Sequence, residues 1–213
     1  KTIQGIILDD QDWMLQDSPI TIAGNTTIQA SASVVIEPGV TVLFAKNTIL
    51  MVKGRLVANG TFAQPITFRG NGGQFGTIYV KDRMGGSFAA NNARFESLAV
   101  ALWRECCWQG PNTGSSNISS LESSSFLTFR KNKIAVQGFG GDFMTRSNYS
   151  IVQSVFENNA IVANVSFVKF LSCTFRGNGV IVPKNAGPAF FETSSIVNST
   201  APIAFEGGGA LDD

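Results

Sequence analysis

The sequence predicts an all-β chain, a parallel β-helix (β-solenoid) of roughly nine coils, on three observations. The tetrad Phe-x-x-Asn recurs, at Phe68 to Asn71, Phe129 to Asn132, Phe156 to Asn159 and Phe175 to Asn178. The second and third copies are 27 residues apart and the third and fourth 19, the length of one turn of a solenoid. Elsewhere apolar runs of three to five residues are cut by Gly, Asn and Pro, which reads as short strands joined by tight turns, and no stretch sustains a 3.6-residue period. In a coil stacked on itself, each Phe sits above the last in the core. Each Asn then falls at a corner, where its amide can satisfy backbone groups of the neighbouring coil.

The elements follow in order. Residues 1–18, with Ile6, Ile7 and Leu8 ahead of Asp9, Asp10, Asp12 and Trp13, are expected to cap the open end of the coil, because an uncovered end exposes strand edges. Strands are expected at 20–22, 27–28, 34–36, 40–44, 49–52, 56–58 and 66–68. Pro19, Pro65 and Pro202 each open a strand, where a missing N–H costs little. Strand character continues from Phe88 to Trp108. Two polar stretches, 109–125 and 138–148, are expected to protrude as loops. Phe205 to Leu211 reads as the start of another coil, so the 213 residues are taken as one β-helix domain, 1–213, within a longer chain or assembly. Nine coils about 4.8 Å apart make a rod about 40 Å long, its interior filled by many of the 17 Phe residues.

Charge and composition exclude several classes. Sixteen basic against fifteen acidic residues, with only Arg130, Lys131 and Lys133 clustered, give no footprint for a nucleic-acid backbone. No apolar run reaches the roughly 18 residues of a membrane helix. Six Asn-x-Ser/Thr sequons, at Asn25, Asn59, Asn117, Asn148, Asn164 and Asn198, exceed the roughly two or three expected by chance and point to a secreted N-glycoprotein. Cys106, Cys107 and Cys173 are the disulfide candidates, Cys173 with one of the vicinal pair being the simple option; an odd number leaves one thiol over. With no His in the chain and no repeating Cys, no metal-ligand spacing forms and no imidazole-dependent triad exists. No cofactor is expected.

The stretch Ile36-Glu37-Pro38-Gly39-Val40-Thr41-Val42, then Leu50 to Thr61, then Pro65-Ile66-Thr67-Phe68, resembles the opening coils of secreted right-handed parallel β-helix proteins of the pectin-lyase-like superfamily. The later Phe-x-x-Asn tetrads and Gly208-Gly209-Ala210 are similar to the repeats of polymorphic outer-membrane adhesins of chlamydiae. The resemblance implies a right-handed, single-stranded coil and specifies activity poorly, since the same coil hosts lyases, hydrolases, adhesins and structural rods.

Chemistry on such a coil needs carboxylates gathered on one lateral face. Here Asp9, Asp10 and Asp12 fall in the cap and Glu37 in a turn. A lyase or hydrolase would need Asp82, Glu96 or Glu157 to line a groove with Lys81, Arg83 or Lys169. Trp103 and Trp108, with Tyr79, could offer a stacking platform for sugars, or could cover the core beneath the long loop. Thr27, Thr41, Thr61, Thr67 and Thr77 are spaced too irregularly for a flat ice-binding array. The expected function is therefore an extracellular structural or adhesive module, a self-assembling fibre or surface-appendage subunit whose partners are copies of itself or other extracellular proteins. The alternatives are a polysaccharide lyase or hydrolase and a non-catalytic glycan-binding β-helix.

Overall fold

The structure, a computed structural model, describes residues 1–81, 84–105, 124–139, 150–165, 168–182 and 189–199. The first coil holds β1 (Thr2–Ile7) and β2 (Gln11–Trp13), and a single 3-10 turn, Leu15–Asp17, leads to the second, β3 (Ile20–Ile28) and β4 (Ser33–Ile36). The third is β5 (Thr41–Phe44), β6 (Ile49–Val52) and β7 (Arg55–Asn59); the fourth is β8 (Ile66–Gly70), β9 (Thr77–Val80) and β10 (Ser87–Asn91). The fifth contains β11 (Ala93–Glu96) and β12 (Val100–Glu105), and the sixth β13 (Thr128–Arg130), β14 (Ile134–Phe139) and β15 (Ser150–Val152). β16 (Val155–Glu157), β17 (Ile161–Asn164) and β18 (Val168–Leu171) form the seventh, β19 (Thr174–Arg176) and β20 (Ala189–Glu192) belong to the eighth, and β21 (Ser195–Val197) opens the ninth.

Each strand pairs in parallel with its counterpart one coil on, which is a parallel β-helix with three faces. The first face runs from the leading halves of β1 and β3 through β5, β8, β11, β13, β16 and β19 to β21. The second takes the trailing halves of β1 and β3, then β6, β9, β12, β14 and β17. β2, β4, β7 and β10 make the third, continued through Ser125, which bridges Asn91 and Val152, into β15, β18 and β20.

Strand alternation points one column of side chains inward on each face. On the first face this column is Ile20, Val42, Phe68, Phe95, Phe129, Phe156 and Phe175, paired coil to coil and fully buried. From Phe68 onward the rings stack nearly parallel, with centroids 5.2, 4.8, 4.8 and 5.0 Å apart. Each such pair contributes about 0.5–1.5 kcal/mol beyond the area it buries. Phe170 closes edge-on against Phe156 and Phe175.

The corners explain the rest of the tetrad. Two residues after the inward aromatic, Ser97, Lys131, Asn158 and Gly177 all take positive φ, between 52° and 58°, and the next residue turns inward. In three coils that residue is Asn: Asn132, Asn159 and Asn178 are buried to within 1%. Asn132 Nδ2 donates to Phe95 O and Asn159 Nδ2 to Phe129 O, each at 2.9 Å, while Asn178 Nδ2 donates to Phe156 O at 2.8 Å. Their Oδ1 atoms accept the N–H of Leu98, Asn132 and Asn159 in turn. Every amide thus closes the corner of the coil before it, as a buried polar group must.

Several expectations need correction. Phe95 belongs to the ring column although no tetrad marks it, because Leu98 stands where other coils have Asn. Conversely, Asn71 is exposed. Gly70 approaches the next coil so closely that a Cβ would lie 2.1 Å from Ser97 O, and the chain turns later there. Residues 1–18 cover the end of the coil as a coil themselves, β1 pairing with β3 and β2 with β4, with Trp13 fully buried as its plug. The expected loop at 109–125 ends earlier, since Ser124 is buried and Ser125 already bridges. The one at 138–148 starts later, since Gly138 lies in β14. Most of both loops, and residues 205–211, lie outside the described residues. Thr41 and Thr67 pair, but Arg94 follows them in the column, so no threonine array forms.

Candidate functional site

Two outward columns carry the exposed chemistry. On the second face Thr27, Met51, Tyr79, Trp103, Gln137 and Asn164 line up coil by coil. Tyr79 and Trp103, both half-buried, stack with centroids 4.4 Å apart and planes inclined by 24°. Lys81 Nζ lies 4.6 Å from the Tyr79 centroid, a cation–π contact. The sugar-stacking candidates Tyr79 and Trp103 are therefore brought together, but the faces they turn on each other are closed to a pyranose ring, which leaves edges and outer faces. Trp108 lies outside the described residues. Arg104, beside Trp103, is 3% exposed and occupies the inward position paired with Val80; a buried cation at that point had no signal in the local pattern except the odd composition of 103–108.

On the first face Arg69, Glu96, Arg130, Glu157 and Arg176 form an outward column in which the sign alternates at every coil. Arg176 Nη1 is 3.8 Å from Glu157 Oε1. An exposed pair at that distance contributes at most about 1 kcal/mol. Sequence reading missed this column, although the residue after each stacked Phe carries it: Arg69, Glu96, Arg130, Glu157, Arg176.

The carboxylates do not gather into a catalytic groove among the described residues. Glu96 and Glu157 flank Arg130, and Lys81 lies on another face; Asp82 and Arg83 are outside the described residues, and Lys169 sits in β18 on the third face. No group of three His, Cys, Asp or Glu that could hold a metal occurs among the described residues, and no described helix is long and apolar enough to cross a membrane. Asp10 and Glu37 act at corners, accepting the N–H of Ser33 and Leu15, each at 2.7 Å.

Of the sequons, Asn25, Asn59 and Asn198 are exposed and Asn164 is half-buried; Asn117 and Asn148 are outside the described residues. Cys173 forms no disulfide. It is 1% exposed, two residues before Phe175 at the corner position that Ser154 and Ser194 occupy in adjacent coils. There Ser194 Oγ accepts the Cys173 N–H at 3.1 Å, and the thiol lies 3.3 Å from Ile151 O. Burial pushes its pKa up, against a smaller opposing effect of hydrogen bonding with the backbone of Ser154 and Leu171. Cys106 and Cys107 lie outside the described residues. No family model, curated protein or solved structure matches the chain.

Proposed function

We propose that the chain is a stiff structural or adhesive module of an extracellular assembly. The observation that carries this reading is the pair of continuous internal ladders, rings from Phe68 to Phe175 and amides from Asn132 to Asn178. A close-packed interior that repeats one contact from coil to coil resists bending, because any tilt between coils breaks several of those contacts together. A spacer or fibre segment needs that property. The likeness to secreted β-helix proteins and to polymorphic adhesins belongs to this reading, as does N-glycosylation at exposed Asn25, Asn59 and Asn198. Electron microscopy of protein isolated undenatured from its native source is the test. Filaments or bundles with a subunit repeat near the rod length of about 40 Å are expected; dispersed monomers would count against the proposal.

A second reading, passive glycan binding, is favoured by the Tyr79–Trp103 column with Lys81 above it. It requires Trp103→Ala to reduce retention on immobilised glycans, and unchanged retention removes it.

A further inference from the structure

The first face is self-complementary. Its charge column runs Arg69, Glu96, Arg130, Glu157, Arg176. An identical column laid against it in the same direction and register meets like charge with like. Laid antiparallel about a two-fold axis between Glu96 and Arg130, Arg69 faces Glu157 of the other copy and Glu96 faces Arg130, each pair occurring twice, with Arg176 opposite Leu43; an axis between Arg130 and Glu157 gives as many opposite pairs, Arg130 with Glu157 and Glu96 with Arg176. Such a two-fold contact closes on itself and uses the same patch on both copies.

A second feature of the same face favours the first of these two registers. At the corner leading into the first face, Phe62 is 96% exposed and Phe126 50% exposed. Phe126 holds positive φ, 54°, at the position where neighbouring coils place Asn92 and Gln153, an uncommon conformation for a bulky side chain. The two rings belong to coils carrying Arg69 and Arg130, with Asn92 in the coil between, and they line one groove with Asn92, Arg94 and Gln153. With the axis between Glu96 and Arg130, Phe126 of one copy falls opposite the Asn92 gap between Phe62 and Phe126 of the other, and Phe62 falls opposite Gln153; with the axis between Arg130 and Glu157 no ring enters a gap between two rings. Knobs meet gaps in the register where arginines meet glutamates.

We propose that two copies of this chain pair side by side and antiparallel through the first face. The face is about 40 Å long and about 10 Å wide, so the pair buries on the order of 1,000 Å², at the small end of specific interfaces. The exposed pairs are open to screening, so association is weak and salt-dependent. The inference rests on the reading of the coil as a structural module and adds a lateral joint to it.

Sedimentation velocity of the whole protein tests it, with and without N-glycans, because a glycan on Asn59 sits three residues from Phe62. A monomer–dimer equilibrium at about 10–100 μM is expected, weakened about tenfold between roughly 50 mM and 500 mM salt. Phe62→Asp, at a side chain with no packing to lose, should abolish the dimer without changing the melting temperature. The decisive arm mixes two variants, Glu96→Arg with Glu157→Arg, and Arg69→Glu with Arg130→Glu and Arg176→Glu. Each should be monomeric alone, and the mixture should form a one-to-one dimer, which a charge column serving only to hold coils in register would not produce. Monomers in every form, or a dimer indifferent to salt and to Phe62→Asp, would overturn the proposal; the latter outcome holds even where the charge-uniform variants fail to fold. Native filaments without a lateral dimer would remove this inference alone, while a dimer that never extends would instead remove the fibre reading.

Discussion

The early and late coils solve one problem in two ways. Every corner leaves backbone N–H groups that the ladder of strands does not reach. In the early coils those groups go to exposed or half-buried side chains one coil away, a different residue each time: Glu37 to Leu15, Asp10 to Ser33, Ser18 to Thr41, Asn25 to Ile49. In the late coils the corner is buried, and Asn132, Asn159 and Asn178 do the work with a single residue type. Water tolerates any acceptor at an exposed corner. A buried corner needs both a donor and an acceptor on one short side chain; after each Phe that side chain is Asn and the sequence repeats, while at the buried corner before it Ser154 serves Leu127 N–H and Val152 O in the same way. The inward column changes in step, from Ile20 and Val42 to an unbroken run of rings.

Substitutions that strike the late coils should therefore cost most. Phe129, held between Phe95 and Phe156 at 4.8 Å on both sides, should lose about 3–5 kcal/mol on replacement by Ala, and Ile20→Val in the aliphatic part of the same column about 1 kcal/mol; urea unfolding of the two variants measures the difference. Next in size is the corner pair. Asn159→Ala orphans the buried Asn132 N–H and Phe129 carbonyl, at about 1–3 kcal/mol each. Asn25→Ala, whose partner Ile49 N–H can turn to water, should cost about 0.5 kcal/mol. Equal losses at the two sites would erase the distinction between buried and exposed corners.

The smallest expected effect is at Cys173. Its folded pKa is raised, so the neutral thiol is the favoured native form; the unfolded thiol ionises first as pH rises, and the stability it supports is lost from the ordinary thiol pKa upward. Cys173→Ser, matching Ser154 and Ser194 in neighbouring coils, should leave stability at neutral pH within about 1 kcal/mol and flatten the decline toward about pH 10. Cys106 and Cys107 are present in both proteins and cancel. A steeper decline in the variant would contradict the assigned burial.

How much of this was legible follows from the same comparison. The Phe-x-x-Asn tetrads were readable because a buried corner enforces them, and they gave the coil count and the all-β class. Phe95 was hidden behind Leu98, and Asn71 misled because Gly70 delays its turn. Residues 1–18 read as a cap rather than a coil because their corners use Asp10 and Glu37, acceptors without a repeat. The alternating Arg and Glu column was present in the sequence one residue beyond each Phe, but it becomes a pattern only once the coils are in register, since their lengths vary from 19 to 34 residues. Tyr79 and Trp103 were singled out as aromatic, and their mutual stacking depended on the register of β9 and β12, which includes a bulge between Val100 and Leu102.

The central claim is that the buried ring and amide ladders of the late coils are the rigid spine of the rod. Amide hydrogen exchange on the native protein tests it most directly. The Leu98, Asn132 and Asn159 amides, bonded to buried Asn side chains, should exchange about a hundredfold more slowly than those of Leu15, Ser33 and Ile49, bonded to exposed ones. Equal protection in the two sets, or faster exchange in the late coils, would contradict it.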